Sequence, residues 1–528
     1  MWWHRETIYQ IYPRSLQDAN GDGVGDLEGI RSRLPYLQDL GVDAIWLSPI
    51  FTSPMNDFGY DVADYREIDP LFGSMADFDA LLAEAHERGL RLLLDFVPNH
   101  TSDQHQWFLE SRSSRENPKR DWYIWKDPAP DGGPPNNWQS NFGGSAWQWD
   151  EATGQYYYHA FLKAQPDLNW RNPDVRAAMY DVLRFWFGKG VDGFRIDVLW
   201  HLIKDERFRD NPPNPSYEPG QPDINKYLQV HSTDQPEIHE VIREMRAVAE
   251  EYDDRLLIGE IYLPLERLMD YYGQEGSGIH LPFNFQLIQC EWRAERIASM
   301  VREYEERLPD WGWPNWVLSN HDQPRIAARA GEAQAAVAAF LLLTLRGTPT
   351  IYYGDELGLG NVEIPPDRVQ DCWAKEEPDA SFNRDQARTP MQWSDAENAG
   401  FSEAEPWLPL SSDWQTRNVE ARMGDEASLL SLYKRLLALR RAEPALQTGA
   451  YRELYADEPI FAFERIGENA RLAALLNFSG NEAQAEVPKD CEGGEIILST
   501  ERNRRGPASR TLTLAPNEAL LIRAKPSR

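Results

Sequence analysis

Eight short apolar, β-branched runs recur along this chain, most of them followed by a helical pattern, and that alternation constrains its fold more than any other feature. The runs are Ile8 to Tyr12, Ala44 to Leu47, Arg91 to Phe96, Gly193 to Asp197, Leu256 to Glu260, Ile279 to Phe285, Trp316 to Ser319 and Thr350 to Tyr353. Between them Met75 to Arg88, Pro173 to Phe187, Gln235 to Tyr252 and Ala333 to Leu345 carry apolar residues at helical spacing. Strands interleaved with helices build parallel sheets, and eight such units predict an α/β chain closed into a (β/α)8 TIM barrel.

A chain of 528 residues exceeds one ordinary core. The alternation fails from Thr101 to about Asn169, where Pro128, Pro130, Gly132, Gly133, Pro134, Pro135, Trp138, Trp147 and Trp149 crowd together. Structureless loops of that length are rare inside domains, so 101–169 is predicted to be a small domain inserted after the third strand. A second excursion runs from Leu357 to about Asp425. After a helix at Leu429 to Arg441 the apolar period becomes two, in Ile460 to Arg465, Arg471 to Phe478, Gly494 to Leu498 and Ala519 to Arg523. That predicts a C-terminal antiparallel β domain over 447–528, with the barrel over 1–100 and 170–446.

The formal net charge of −31 repels nucleic acid and anionic lipid, so neither is an expected partner. Neutral, ring-shaped ligands suit the 20 Trp, 22 Tyr and 20 Phe better, because sugar faces pack on aromatic planes. Cys290, Cys372 and Cys491 are sparse and odd in number, which fits a reducing compartment. With no apolar leader pattern and no long apolar run, a cytoplasmic protein is expected.

Four segments deliver polar side chains at the ends of strand-like runs: Asp95-Phe96-Val97-Pro98-Asn99-His100, Gly193-Phe194-Arg195-Ile196-Asp197-Val198, Ile258-Gly259-Glu260-Ile261 and Ser319-Asn320-His321-Asp322. Barrel enzymes keep their chemistry at the carboxyl ends of strands. Asp197, Glu260 and Asp322 are therefore candidate catalytic groups, because glycosidic bond cleavage requires one carboxylate at the anomeric centre and a second carboxyl to protonate the leaving oxygen.

With these motifs in this order, nearly the whole chain resembles the α-amylase superfamily, in its α-glucosidase and oligo-1,6-glucosidase branch. The resemblance implies an exo-acting retaining α-glucosidase on short oligosaccharides, with transglucosylation as a side activity. It assigns Asp197 as nucleophile, kept ionised by Arg195; Glu260 as general acid/base with a raised pKa; and Asp322 as a third carboxylate on the sugar hydroxyls. His100 and His321 are expected to hydrogen-bond the terminal sugar. Tyr60 is expected to stack on it, with Asp57 paired to Arg388 to close the pocket behind it. Phe142 and Phe161 are expected substrate contacts, and Val198, after the nucleophile, leans toward α-1,6 linkages.

Asp18-Ala19-Asn20-Gly21-Asp22-Gly23-Val24-Gly25-Asp26 alternates oxygen side chains with glycines. Asp18, Asn20, Asp22, Asp26 and the Val24 carbonyl are candidate ligands for a structural Ca²⁺, an Asx-rich turn without an ion being the alternative. Relatives with the same chemistry, such as sucrose isomerase, trehalose synthase or a phosphosugar hydrolase, are the alternative functions. Gln323-Pro324-Arg325-Ile326 lacks the charged run of sucrose isomerases, and the acidity gives no hint of a phosphate pocket. A non-catalytic transporter-chain relative would carry a membrane anchor and lack the carboxylates.

Overall fold

Within each barrel strand, alternate side chains have different fates, and this two-residue period builds the active end. The computed structural model describes residues 1–379 and 382–525. Its parallel strands are β1 (Ile8–Ile11), β2 (Ala44–Leu47), β3 (Arg91–Phe96), β4 (Gly193–Ile196), β5 (Leu256–Ile261), β6 (Leu281–Asn284), β7 (Asn315–Val317) and β8 (Thr348–Tyr352). They close in the order β1-β2-β3-β4-β5-β6-β7-β8, with β8 returning to β1.

One set, including Ile8, Trp46, Leu93, Ile258, Phe283 and Val317, packs together at the barrel axis, above Trp2, Trp3 and Trp313. The intervening set, including Tyr9, Ile45, Leu92, Phe194 and Leu257, joins the helices in the main core. Two residues further along the axis-facing set, Gln10, Asp95, Arg195 and Glu260 follow, all buried. Asp95 and Arg195 are direct register partners.

The surrounding helices begin and end where local chemistry dictates. Met75–Glu87 opens with a capping box between Ser74 and Asp77. Pro173–Lys189 starts on an Asn172 cap with Pro at its first position, and stops at left-handed Gly190. Ala335–Thr344, buried except at Ala336, lies between Leu429–Ala442 and the C-terminal sheet.

Residues 101–169 hold the helix Gln106–Ser113 and a three-stranded sheet of Trp125–Lys126, Trp147–Asp150 and Gln155–Tyr158. The C-terminal region carries a six-stranded sheet and a two-stranded one. In it Phe461, Phe463, Leu472 and Ala474 face the main core, and Ile460, Ala462, Ala473 and Leu475 a second one. Buried Arg465 ties the two regions together by donating to the carbonyls of Thr344, Leu345 and Leu446.

Candidate active site

At the carboxyl end of the barrel, one guanidinium is divided among three carboxyls. Arg195 lies 2.9 Å from Asp95, 2.7 Å from Asp197 and 2.7 Å from Glu260, all nearly inaccessible to solvent. Fully ionised, the cluster would carry net negative charge in a poorly solvated site, which is costly. Burial pushes Asp197 well above the usual carboxylate range and raises Glu260, while Arg195 opposes both shifts. Burial likewise raises Asp95 to about 6.

Burial comes first in both shifts; the neighbouring Glu260 then raises Asp197 further, whereas Asp197 lowers Glu260. This differs from the expectation that Arg195 alone keeps Asp197 ionised.

Val198 supplies the next contact. Its backbone is left-handed (φ 36°), strained for a β-branched residue. The N–H donates to Glu260 Oε2 at 2.8 Å. The strained turn thus holds the acid/base candidate against the strand end carrying Asp197.

These groups open onto a cavity of about 470 Å³ lined by Asp57, Tyr60, Phe142, Phe161, Asp197, Val198, Glu260, Asp322 and Arg384 among others. The buried end is closed by ion pairs. Asp57, from the loop after β2, meets Arg384, from the segment after β8, at 3.0 Å. Arg384 reaches Asp371 at 2.7 Å and Asp322 at 3.2 Å, and Arg388 reaches Asp322 at 3.0 Å. Burial opposes ionisation of Asp322, but the His321 N–H at 3.1 Å and the two arginines outweigh it and hold Asp322 well below the usual range.

The expected pairing of Asp57 with Arg388 is therefore corrected. Residues Arg384–Ala387 form a short helical turn that aims Arg384 at Asp57. Arg388 instead lies over the rings of Tyr12 and Phe58 and donates to the His321 carbonyl. The charge pattern Arg384-Asp385-Gln386-Ala387-Arg388 offers two candidates, and only the direction of the turn separates them.

His100 and His321 stand behind the lining rather than in it, each with both ring nitrogens engaged. Gln10 donates to His321 Nδ1 at 2.9 Å, which leaves Nε2–H for Asp322 and the Tyr60 hydroxyl. Tyr60 stacks on the His321 ring, 5.4 Å between centroids and 4° from parallel. Asn99 donates to His100 Nδ1, and the other ring nitrogen meets the Tyr60 carbonyl at 3.1 Å. Both imidazoles are neutral, burial pushing each down to about 3. They orient Tyr60 and Asp322.

Sequence reasoning missed the role of Asp95, which accepts from Arg195, from Tyr60 at 3.1 Å and from Trp46 at 3.2 Å. The signal was there: Asp95 occupies the axis-facing phase of β3, level with Arg195. Trp373 and the lining residues Ile224 and Leu228 were missed as well. They come from excursions that no strand period reaches.

Asp18 and Asp26 are buried at the mouth of their loop. Asp18 accepts from the N–H groups of Asn20, Gly21 and Gly23, and Asp26 from those of Ala19, Asn20 and Gly29. Neither forms an ion pair among the described residues, and no group of three or more acidic, His or Cys side chains that could hold a metal ion occurs among them. As donors, the carboxylates of Asp18, Asp26 and exposed Asp22, the Asn20 amide oxygen and the Val24 carbonyl fit a hard cation in kind.

Comparison with known proteins agrees with this geometry. Residues 10–449 match the model of the alpha amylase catalytic domain. A probable alpha-glucosidase of Rhizobium meliloti (strain 1021) is 44% identical over 503 residues, covering 92% of this chain and 91% of that protein. An oligo-1,6-glucosidase of Halalkalibacterium halodurans is 39% identical and is covered over 99% of both chains. The crystal structure of an alpha-glucosyl transfer enzyme, XgtA, superposes with a TM-score of 0.93 at 39% identity, over 99% of each chain.

Proposed function

The chain belongs to the alpha-amylase family, and from that membership and its site we propose that it is an exo-acting retaining α-glucosidase releasing terminal α-glucose from short oligosaccharides. The observation that carries the reading is the Asp197–Glu260 pair held on one guanidinium, each 2.7 Å from Arg195, in a cavity whose buried end is closed by Asp57 and Arg384. Carboxyls of a retaining enzyme stand roughly 5–5.5 Å apart, and an inverting pair roughly 6.5–9.5 Å, with room for water. Two carboxyls held on a single guanidinium support the first arrangement.

In this reading Asp197 attacks the anomeric carbon while Glu260 gives its proton to the departing glycosidic oxygen. The carbon–oxygen bond to the leaving sugar breaks as the ester bond to Asp197 forms. Glu260, now a carboxylate, takes a proton from water, which attacks the same carbon as the ester bond to Asp197 breaks, releasing α-glucose and the free Asp197 carboxylate. A sugar hydroxyl in place of that water gives transglucosylation. Asp322, kept ionised by its arginines, accepts hydroxyls of the distorting ring, and Tyr60 offers its face.

The Asp57–Arg384 pair stands where a further sugar unit would have to continue, so a chain enters only by its non-reducing tip. Rates on maltose, isomaltose, sucrose, trehalose and end-blocked maltooligosaccharides test this. Release of glucose from the disaccharides and inertness of the end-blocked chains are expected. Isomerised sucrose as main product would favour the isomerase alternative.

A cytoplasmic setting is part of the proposal, supported by three unpaired cysteines. Among the described residues no helix is long and apolar enough to cross a membrane. For the Asp18–Asp26 loop we propose a structural Ca²⁺. Burial, with the charge of Asp18 adding to it, raises Asp26, a penalty that a cation would relieve.

A further inference from the structure

Three excursions meet on the outer side of the cavity, and a residue outside its lining touches all three. Glu377 Oε1 accepts the N–H of Asp223 at 2.9 Å, and Oε2 accepts the indole N–H of Trp373 at 3.2 Å. Its stem lies against Gly143, where a Cβ would come within 2.8 Å of Glu377 Cγ. Gly143 is also left-handed (φ 97°), so both space and conformation select glycine there.

Each contact is at, or one residue from, the cavity wall. Asp223 precedes Ile224, Gly143 follows Phe142, and Trp373 lines the cavity itself. The Phe142 and Trp373 rings lie 5.9 Å apart. The segment after β4 has little structure of its own there, one short turn at Asp223–Lys226, and Leu228 beside it is two-fifths exposed. Segments with few internal bonds open easily, and a hydrogen bond to a carboxylate is among the stronger restraints available.

We propose that Glu377 is the latch that joins the inserted region, the segment after β4 and the segment after β8 into one wall. As a positioning residue it sets how tightly the enzyme holds the sugar beyond the scissile bond, while contributing nothing to the glucose in the buried end. The proposal rests on the α-glucosidase reading and names what governs its leaving-group side.

α-Glucosyl fluoride separates the two sides, because its leaving group is a single atom. Wild type, E377A and E377Q are compared on the fluoride, maltose and isomaltose, with melting temperatures as a folding check. For E377A, kcat/KM on the disaccharides is expected to fall about tenfold, mainly through KM, with the fluoride changed by no more than about twofold. E377Q keeps an acceptor for the Asp223 N–H and should show the same split at smaller size; it carries the test if E377A does not fold. G143A, pressing the latch from the other side, should reproduce the split.

Equal losses on fluoride and disaccharides, or no loss on disaccharides, would overturn the latch. A wild type that turns over neither substrate class contradicts the α-glucosidase reading itself, and the latch falls with it.

Discussion

The two ends of the cavity are built by different means. Its buried end consists of charged side chains from strand ends and nearby turns, locked in the pairs Arg195–Asp197, Arg195–Glu260, Asp57–Arg384 and Arg388–Asp322. Its outer wall is neutral and comes from excursions, with Phe142, Ile224, Leu228 and Trp373 held by a few contacts. The rigid end fixes the chemistry, and the loop-built end fixes what is attached to the reacting glucose.

If that division holds, the largest effects belong to the buried end. Asp197→Ala should lower turnover by on the order of 10⁴-fold or more while leaving the circular dichroism spectrum intact. Removing one of three carboxyls that share a guanidinium relieves repulsion, so loss of fold would break the comparison.

Glu260→Gln should cost about 10²–10⁴-fold on disaccharides and much less on aryl glucosides with good leaving groups, which need little protonation. The sign of the pH effect follows from the raised Glu260 pKa. The acid form is lost only as pH rises through that raised value, so wild-type kcat/KM on maltose should fall on the alkaline side of it. That limb should be absent from the variant's profile on the activated substrate.

Arg384→Ala should come next. It strands Asp57, Asp371 and part of Asp322, and removing one partner of a buried pair costs about 3–5 kcal/mol. Glucose-unit affinity should suffer through KM, and end-blocked chains should become detectable substrates. Arg388→Ala should weaken Asp322 without opening the seal, which separates the two arginines.

How far the sequence told these ends apart follows from period. β2 and β3 begin and end where their patterns predict, and β4 and β5 lie within one residue of theirs, because apolar alternation and turn residues both mark them. The same period put Asp197 and Glu260 at strand ends. Arg384 was not chosen over Arg388 because a helical turn four residues long rotates one toward Asp57 and the other over Tyr12, a rotation that no composition encodes. Ile224 and Leu228 were invisible for a related reason: they belong to a segment whose position depends on Glu377, 154 residues from Asp223.

Smaller effects sharpen the contrast. Asp95, Asp197 and Glu260 have raised folded-state values, so their contribution to stability is complete below the unfolded pKa and is lost as pH rises through the folded ones. The melting temperature should decline from about pH 4 upward, with the Asp95 share gone once the pH passes its folded value of about 6, and less steeply in Asp197→Asn. Chelation of a Ca²⁺ at Asp18 and Asp26 should lower the melting temperature by a few degrees at most and leave the initial rate unchanged, the loop lying outside the cavity lining.

The most direct test of the account is the configuration of the first product. Proton NMR followed from the first minute of an aryl α-glucoside digest should show the α-glucose anomeric signal alone, with the β signal growing later at the rate of mutarotation. A β-glucose signal appearing first would mean that water, not Asp197, attacks the sugar, and would contradict the roles assigned to Asp197 and Glu260.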